Sequence, residues 1–220
     1  MSPMWTLRSP LRPPASTGSL PEAGAFEPTE TRVHVDDPAG REILGKAIAA
    51  HLASFAPSPE PVTLVCVGSD RSTGDALGPL VGTRLSRMAP PGLTVYGTLE
   101  RPVHAANLAE RLADLRRQGK DRLVVAVDAC LGRAENVGTV CVKSGPLKPG
   151  SGVNKALPPV GRFHIVGVVN VGGFMEYFVL QNTRLSLVMR LAELIADSLV
   201  DSVTRHWPKA AAQAAAAREP

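Results

Sequence analysis

Apolar positions along this chain alternate between short continuous runs and helical stripes, and that alternation predicts an α/β fold. Val62–Val67 is apolar apart from Thr63, rich in β-branched residues and of strand length. From Ala76 the period changes, with Leu77, Val81, Leu85 and Met88 recurring at helical spacing up to Pro90–Gly92. Leu93–Gly97 then reads as a second strand. Ala105, Leu108, Leu112 and Leu115 mark a helix that Gly119 should stop. Leu123–Asp128 is a third strand, Gly138–Val142 a fourth, and His164–Asn170 a fifth. Phe174–Leu180 fits strand or helix equally. Asn182 or Thr183 should cap a long last helix through Leu185–Val203. Ahead of the first strand, Asp37 as N-cap and Pro38 as first helical residue predict a helix with Leu44, Ile48, Leu52 and Phe55 on one face. Strands separated by helices imply a mostly parallel sheet covered on both faces.

The ends of the chain break this pattern. Residues 1–30 are rich in Pro, Ser, Thr and Gly, without period, and are expected to be disordered, because so little apolar surface cannot offset ordering entropy. Residues 208–220 form an Ala-rich tail expected to be flexible, which leaves 31–207 as a single α/β domain. Within it, Ser144–Gly161 (SGPLKPGSGVNKALPPVG) is too long for a simple connection and is expected to be a mobile loop beside the site.

Composition narrows the function classes. At 220 residues, with 44% hydrophobic and 20% charged residues, the chain can bury a full core. Aromatic content of 4% argues against stacking platforms for single-stranded nucleic acid. The net charge of +4 is partly held by Arg8, Arg12, Lys209 and Arg218 in the end segments, and no basic run appears. Nucleic acid is therefore not an expected partner. Three cysteines without CxxC spacing fit reduced, mostly buried thiols in a cytoplasmic protein. No secretory signal pattern is seen, and Arg190, Glu193, Asp197 and Asp201 interrupt the longest apolar helix, so a membrane is not expected either.

Candidate chemistry centres on Asp75, in GDALG after the first strand, and Asp128, in AVDACLG after the third. Chemistry in open parallel sheets gathers beyond the carboxyl ends of the strands. Two carboxylates meeting there cannot both ionise cheaply and can share a proton, one activating water while the other protonates a leaving group. They could instead ligate a divalent metal. The plainer alternatives are a helix-capping Asp75 and a turn-forming Asp128.

Asp70, Arg71, Ser72 and Thr73 are expected to line the substrate site. A phosphate cradle there lacks nucleotide-loop spacing, and Arg71 is more simply a partner for one of the aspartates. Gly150, Ser151 and Asn154 of the long loop, with Lys148 and Lys155, are expected to orient a carbonyl-rich substrate. Cys130 and His104 supply the parts of a Cys/His hydrolase without its signature, so Cys130 reads as a packed residue. His34, His51, His164 and His206 have no zinc spacing. His104 or Glu176 could complete a metal set, but the expectation is no metal and no cofactor.

Five separated blocks carry a family resemblance: GSDRSTGDALGPLVG, VYGTLERPVHAANL, VDACLGRAENVGTV, GPLKPGSGVNKALPPVG and MEYFVLQNTRLSLVM. Together they resemble the YyaC-type sporulation proteins, are similar to the germination (spore) protease and, more distantly, to the hydrogenase maturation proteases. The resemblance implies a three-layer sandwich around a mostly parallel sheet, phosphorylase/hydrolase-like. In the germination protease two aspartates implicated in catalysis lie in P-D-A-L-G-P and A-I-D-A, which match Asp75 in GDALGP and Asp128 in AVDA. The PGSG of its loop is matched at 149–152. In the maturation proteases the equivalent acids, with a histidine, recognise nickel. Gly74 replaces the proline before the first aspartate, and the chain is much shorter than a germination protease.

The implied function is a sporulation-associated endopeptidase acting on a protein or peptide, with self-association into a homo-oligomer left open. The alternative is a non-catalytic regulator or binding module that keeps the peptidase fold.

Overall fold

The structure is a computed structural model that describes residues 30–56, 60–149 and 157–206. Its centre is one six-stranded sheet of β1 (Thr31–His34), β2 (Val62–Cys66), β3 (Leu93–Tyr96), β4 (Leu123–Gly132), β5 (Thr139–Ser144) and β6 (Phe163–Val171). The strand order is β1-β5-β6-β4-β2-β3. The inner pairs β3–β2, β2–β4 and β4–β6 are parallel, as crossover helices require, while β5 and β1 extend the sheet antiparallel beyond β6. The α/β class is met by a parallel core with an antiparallel flank.

The helices are α1 (Gly40–Phe55), α2 (Leu77–Met88), α3 (Leu108–Arg117), α4 (Glu176–Gln181) and α5 (Leu185–His206). α5 packs against both α1 and α2 over one face of the sheet. That layer buries Leu44, Ile48, Leu52, Leu77, Val81 and Leu85 against Val125, Val127 and Ile165. α3 covers the opposite face, where Leu108, Leu112 and Leu115 meet Val65, Val124 and Ala126. Side chains of successive strand residues point to opposite faces, so odd-numbered β4 residues serve the first layer and even-numbered ones the second.

Several sequence expectations shift. Asp37 takes a backbone N–H, that of Ala39 at 2.9 Å, but α1 begins only at Gly40, leaving Pro38 in the preceding turn. β1 has no counterpart in the pattern reading, being four residues long with only Val33 buried. Asn182 and Thr183 do not turn toward α5; their side chains donate back to the carbonyls of Phe178 and Val179. The 174–180 ambiguity resolves as helix, entered through Met175 at φ 54°. Within the long loop read as mobile, Leu147 and Val160 pair with each other and are buried on the α3 face. The N-terminal segment before Glu30 and the segment after His206 lie outside the described residues.

Candidate active site

β2 ends at Cys66, and the chain beyond it folds back over the strand's end. Val67 N–H still reaches the Val127 carbonyl at 2.7 Å, then Gly68 N–H turns to Val103 O at 2.8 Å and Ser69 N–H to Asp75 O at 3.0 Å. Gly68 sits at φ +143°, and a Cβ there would lie 2.1 Å from the Asp75 carbonyl oxygen. Gly78, in the first turn of α2, lets that helix press onto the strand, since its Cβ would stand 2.0 Å from Val67 O. The Gly74–Ala76 turn, a single 3₁₀ turn, is thereby fixed at the rim beside β4. Behind it, a side chain at Gly74 would meet Leu180 Cδ2 at 2.8 Å and Thr183 Oγ1 at 2.9 Å, which accounts for glycine at that position.

Asp75 therefore does not cap α2; the cap position is Ala76, and no side chain bonds there. Asp128 is not a turn residue either. It lies inside β4, opposite Val166, because β6 continues to pair with β4 as far as Gly132. Since β2 stops opposite Val127, Asp128 is nonetheless the first β4 residue beyond the end of its neighbour. The two carboxyl groups are thus delivered to one rim by different means, one by a turn and one by a strand that outruns its partner.

Electrostatics distinguish them. Burial raises the Asp128 carboxyl well above the usual carboxylate range, and the charge of Asp75 raises it further, against the Ala129 N–H that bonds Oδ1 at 2.8 Å. Burial also raises Asp75, but the Ser69 N–H and the nearby His104 hold it down. His104 arrives on the stretch after β3, whose Val103 bridges to Val67. Asn107 Oδ1 accepts the His104 N–H at 2.9 Å and ties the turn. The ring Nδ1 accepts the Ala106 N–H at 3.3 Å.

Other candidates fare differently. Asp70 and Arg71 are exposed and Ser72 and Thr73 partly buried, all four in the loop that leads to Asp75. Arg71 forms no ion pair with either aspartate among the described residues, contrary to its expected role as their partner. Ser72 Oγ is shielded without a hydrogen-bond partner among those residues. Gly150, Ser151 and Asn154 lie outside the described residues. The loop's stems leave the sheet beside Phe163 and Val124, at the amino ends of β6 and β4 and so away from the aspartates.

Burial, with the Asp128 charge, pushes the Cys130 thiol up to about 11, so it offers no thiolate at neutral pH. Cys66 and Cys141 are buried free thiols. Glu176 accepts the Gly173 N–H at 3.4 Å rather than joining the acids. No group of three or more His, Cys, Asp or Glu is arranged to hold a metal ion among the described residues.

The family model described as "Protein of unknown function (DUF1256)" matches residues 32–198. The chain belongs to that family. It is 54% identical over 148 residues to the uncharacterized protein YyaC of Bacillus subtilis (strain 168), covering 67% of this chain and 72% of that one. Among solved structures it resembles the NiFe hydrogenase maturation protease HycI from Thermococcus kodakarensis KOD1, at a TM-score of 0.43 and 18% identity, over 68% of this chain and 96% of that chain. No helix among the described residues is long and apolar enough to cross a membrane.

Proposed function

We propose that this chain is a peptide-bond hydrolase in which Asp75 and Asp128 act as a proton-sharing pair. The observation that carries the reading is their electrostatic asymmetry at one rim: burial raises both carboxyls, Asp128 strongly and further through the charge of Asp75, while at Asp75 the Ser69 N–H and His104 oppose the rise. Of the two, Asp128 is then the one that holds a proton more readily and Asp75 the one that gives it up more readily. Asp75 takes a proton from water as the water oxygen bonds to the substrate carbonyl carbon. Asp128 gives its proton to the leaving amine nitrogen as the C–N bond breaks, and the proton held by Asp75 restores Asp128. Neither metal nor cofactor enters these steps.

The resemblance of GDALGP and AVDA to the germination-protease blocks supports an endopeptidase, and with it a role in sporulation, in the cytoplasm, on a spore-stage protein. The test is incubation of the purified protein with small spore proteins, followed by mass spectrometry. Wild type should cut at defined bonds, and Asp75→Asn and Asp128→Asn should each lose activity by about 100-fold or more with unchanged far-UV circular dichroism. Full activity in both variants would remove the mechanism. Saturable binding of those proteins without cleavage would favour the binding-module alternative.

A further inference from the structure

Seven of the nine exposed large hydrophobic residues among the described residues fall within residues 171–189, from the tip of β6 through α4 to the second turn of α5. Three of them are aromatic, in a chain whose aromatic share is 4%. Phe174 is 86% exposed, Tyr177 64% and Phe178 53%. At about 200 Å² for a fully exposed ring, these three alone present roughly 400 Å². None of the residues of α4 is buried, so the helix keeps its aromatic side chains out of this chain's own core. Val171, Phe174 and Phe178 wall a shallow cavity of about 480 Å³ whose lining reaches Asn182, between α4 and α5. Leu185 and Met189, one helical turn apart, are exposed on the same face of α5 immediately after it.

Size and composition say what covers such a surface. The largest apolar patch on a monomer is commonly about 300–600 Å², a range the three rings already reach. They supply half of the ~800 Å² that each partner of a standard interface buries, and Val171, Met175, Leu185 and Met189 add to them. Interfaces that form and part are about as polar as the rest of a surface, whereas those between paired copies are more apolar and depleted of charge. Within residues 171–189 the only charged side chains are Glu176 and Arg184, one of each sign. Glu176 opens α4 and Arg184 directly precedes α5, so they stand beyond opposite ends of one short helix. Glu176 accepts the Gly173 N–H at 3.4 Å, and neither residue forms an ion pair among the described residues. Two copies of α4 crossed antiparallel about a two-fold axis bring each Glu176 to the partner's Arg184. They also set the protruding Phe174 of one copy beside the cavity of the other. The patch is complementary to itself in charge and in shape, as a two-fold contact between copies requires.

We propose that two copies of this chain pair through residues 171–189, their α4 helices antiparallel across a two-fold axis and Glu176 of each copy against the partner's Arg184. Such pairing is separate from hydrolysis and holds whether or not the chain cleaves peptides. It also braces the acid pair. Leu180 of α4 backs the Gly74–Ala76 turn, where a Cβ at Gly74 would lie 2.8 Å from Leu180 Cδ2. A helix with no buried residue of its own is then pressed onto that turn from outside by the second copy, which steadies the support of Asp75.

Sedimentation velocity of the full-length protein from about 1 to about 100 µM tests the pairing. Wild type should be dimeric at the upper end. Phe174→Asp combined with Phe178→Asp should be monomeric throughout, with unchanged far-UV circular dichroism, since both rings are exposed. Charge exchange then identifies the occupant as a second copy. Glu176→Arg and Arg184→Glu should each weaken dimerisation by about tenfold or more, because like charges then meet twice across the axis. Mixed in equal amounts, the two variants should pair with each other. A single chain carrying both substitutions should pair with itself, since both arrangements restore opposite charges. A wild-type monomer at about 100 µM would overturn the proposal and leave the patch to another protein or to a lipid surface. So would a dimer that the double aspartate variant leaves intact, or charge variants that neither the mixture nor the combined chain rescues. A dimer that passes these tests without peptidase activity would retain the pairing and remove hydrolysis.

Discussion

Replacing Asp128 by Asn should make the protein more stable, increasingly so as pH rises. The native Asp128 carboxyl is raised well above its ordinary value, first by burial and then by the charge of Asp75. In the unfolded chain the same group loses its proton at about pH 3.9. Between those two points the native state holds a proton that the unfolded state has released, so the stability of the wild type falls as pH rises. One proton's difference costs about 1.4 kcal/mol per pH unit across that window. For a chain of this size that is a Tm change of roughly 3–5 °C per unit. Asn keeps an Oδ1 to accept the Ala129 N–H, carries no proton to release and has nearly the same volume. The Tm difference between variant and wild type should therefore be smallest near pH 4, widen steadily upward, and level off once native Asp128 ionises. The plateau itself reads out the native titration. In an Asp75→Asn background the plateau should come at lower pH, because the neighbouring charge is gone. Differential scanning calorimetry from pH 4 to 9 decides the matter. A gap that stays constant, or that narrows with rising pH, would refute the burial argument.

The way Asp75 is held gives two more expected outcomes. Gly78→Ala places a methyl group 2.0 Å from the Val67 carbonyl, where only movement of α2 off the strand can relieve the clash. It should cost about 1–3 kcal/mol or more and lower Tm by several degrees, and an unchanged melting curve would show the contact to be slack. His104→Gln removes the group whose charge favours ionised Asp75. The acidic limb of the pH–rate profile should shift to higher pH while the rate at the optimum changes less, and an unmoved limb would show that His104 does not act on Asp75.

The parallel core was legible because its strands are buried on both sides and its helices carry one apolar stripe each. β2, for example, is buried at every position, so nothing but a central strand fits Val62–Cys66. The antiparallel flank was not legible to the same degree. β1 is a short edge strand with one buried residue, Val33, and its ladder to β5 is specified by pairing rather than by local pattern. The boundary of α1 was misplaced because Asp37 makes the kind of side-chain bond an N-cap makes, but to Ala39 in the turn ahead of the helix.

The site divides along the same line. That Asp75 and Asp128 meet at one rim was legible, since each comes after a central strand run. How they meet was not, because it depends on where β2 stops relative to β4, and a sequence shows apolar run lengths but not register. AVDACLG reads as a strand, then a turn; with β6 alongside it is one continuous strand, and Asp128 becomes a half-buried strand residue with the parity of the α3 face rather than an exposed loop acid. The sequence offers His104 as a hydrolase base or a metal ligand but not as a charge acting on Asp75, for a related reason. The neighbour of His104, Val103, is pulled against Val67 by a single bridge formed across the end of the sheet, and no local period marks it. The division of labour between the acids was open in the sequence for the same cause. It becomes arguable only once one carboxyl is seen to be the more strongly desolvated and the other to stand before a backbone N–H and an imidazole, because desolvation and hydrogen bonding, rather than residue type, decide which of two aspartates keeps the proton more readily.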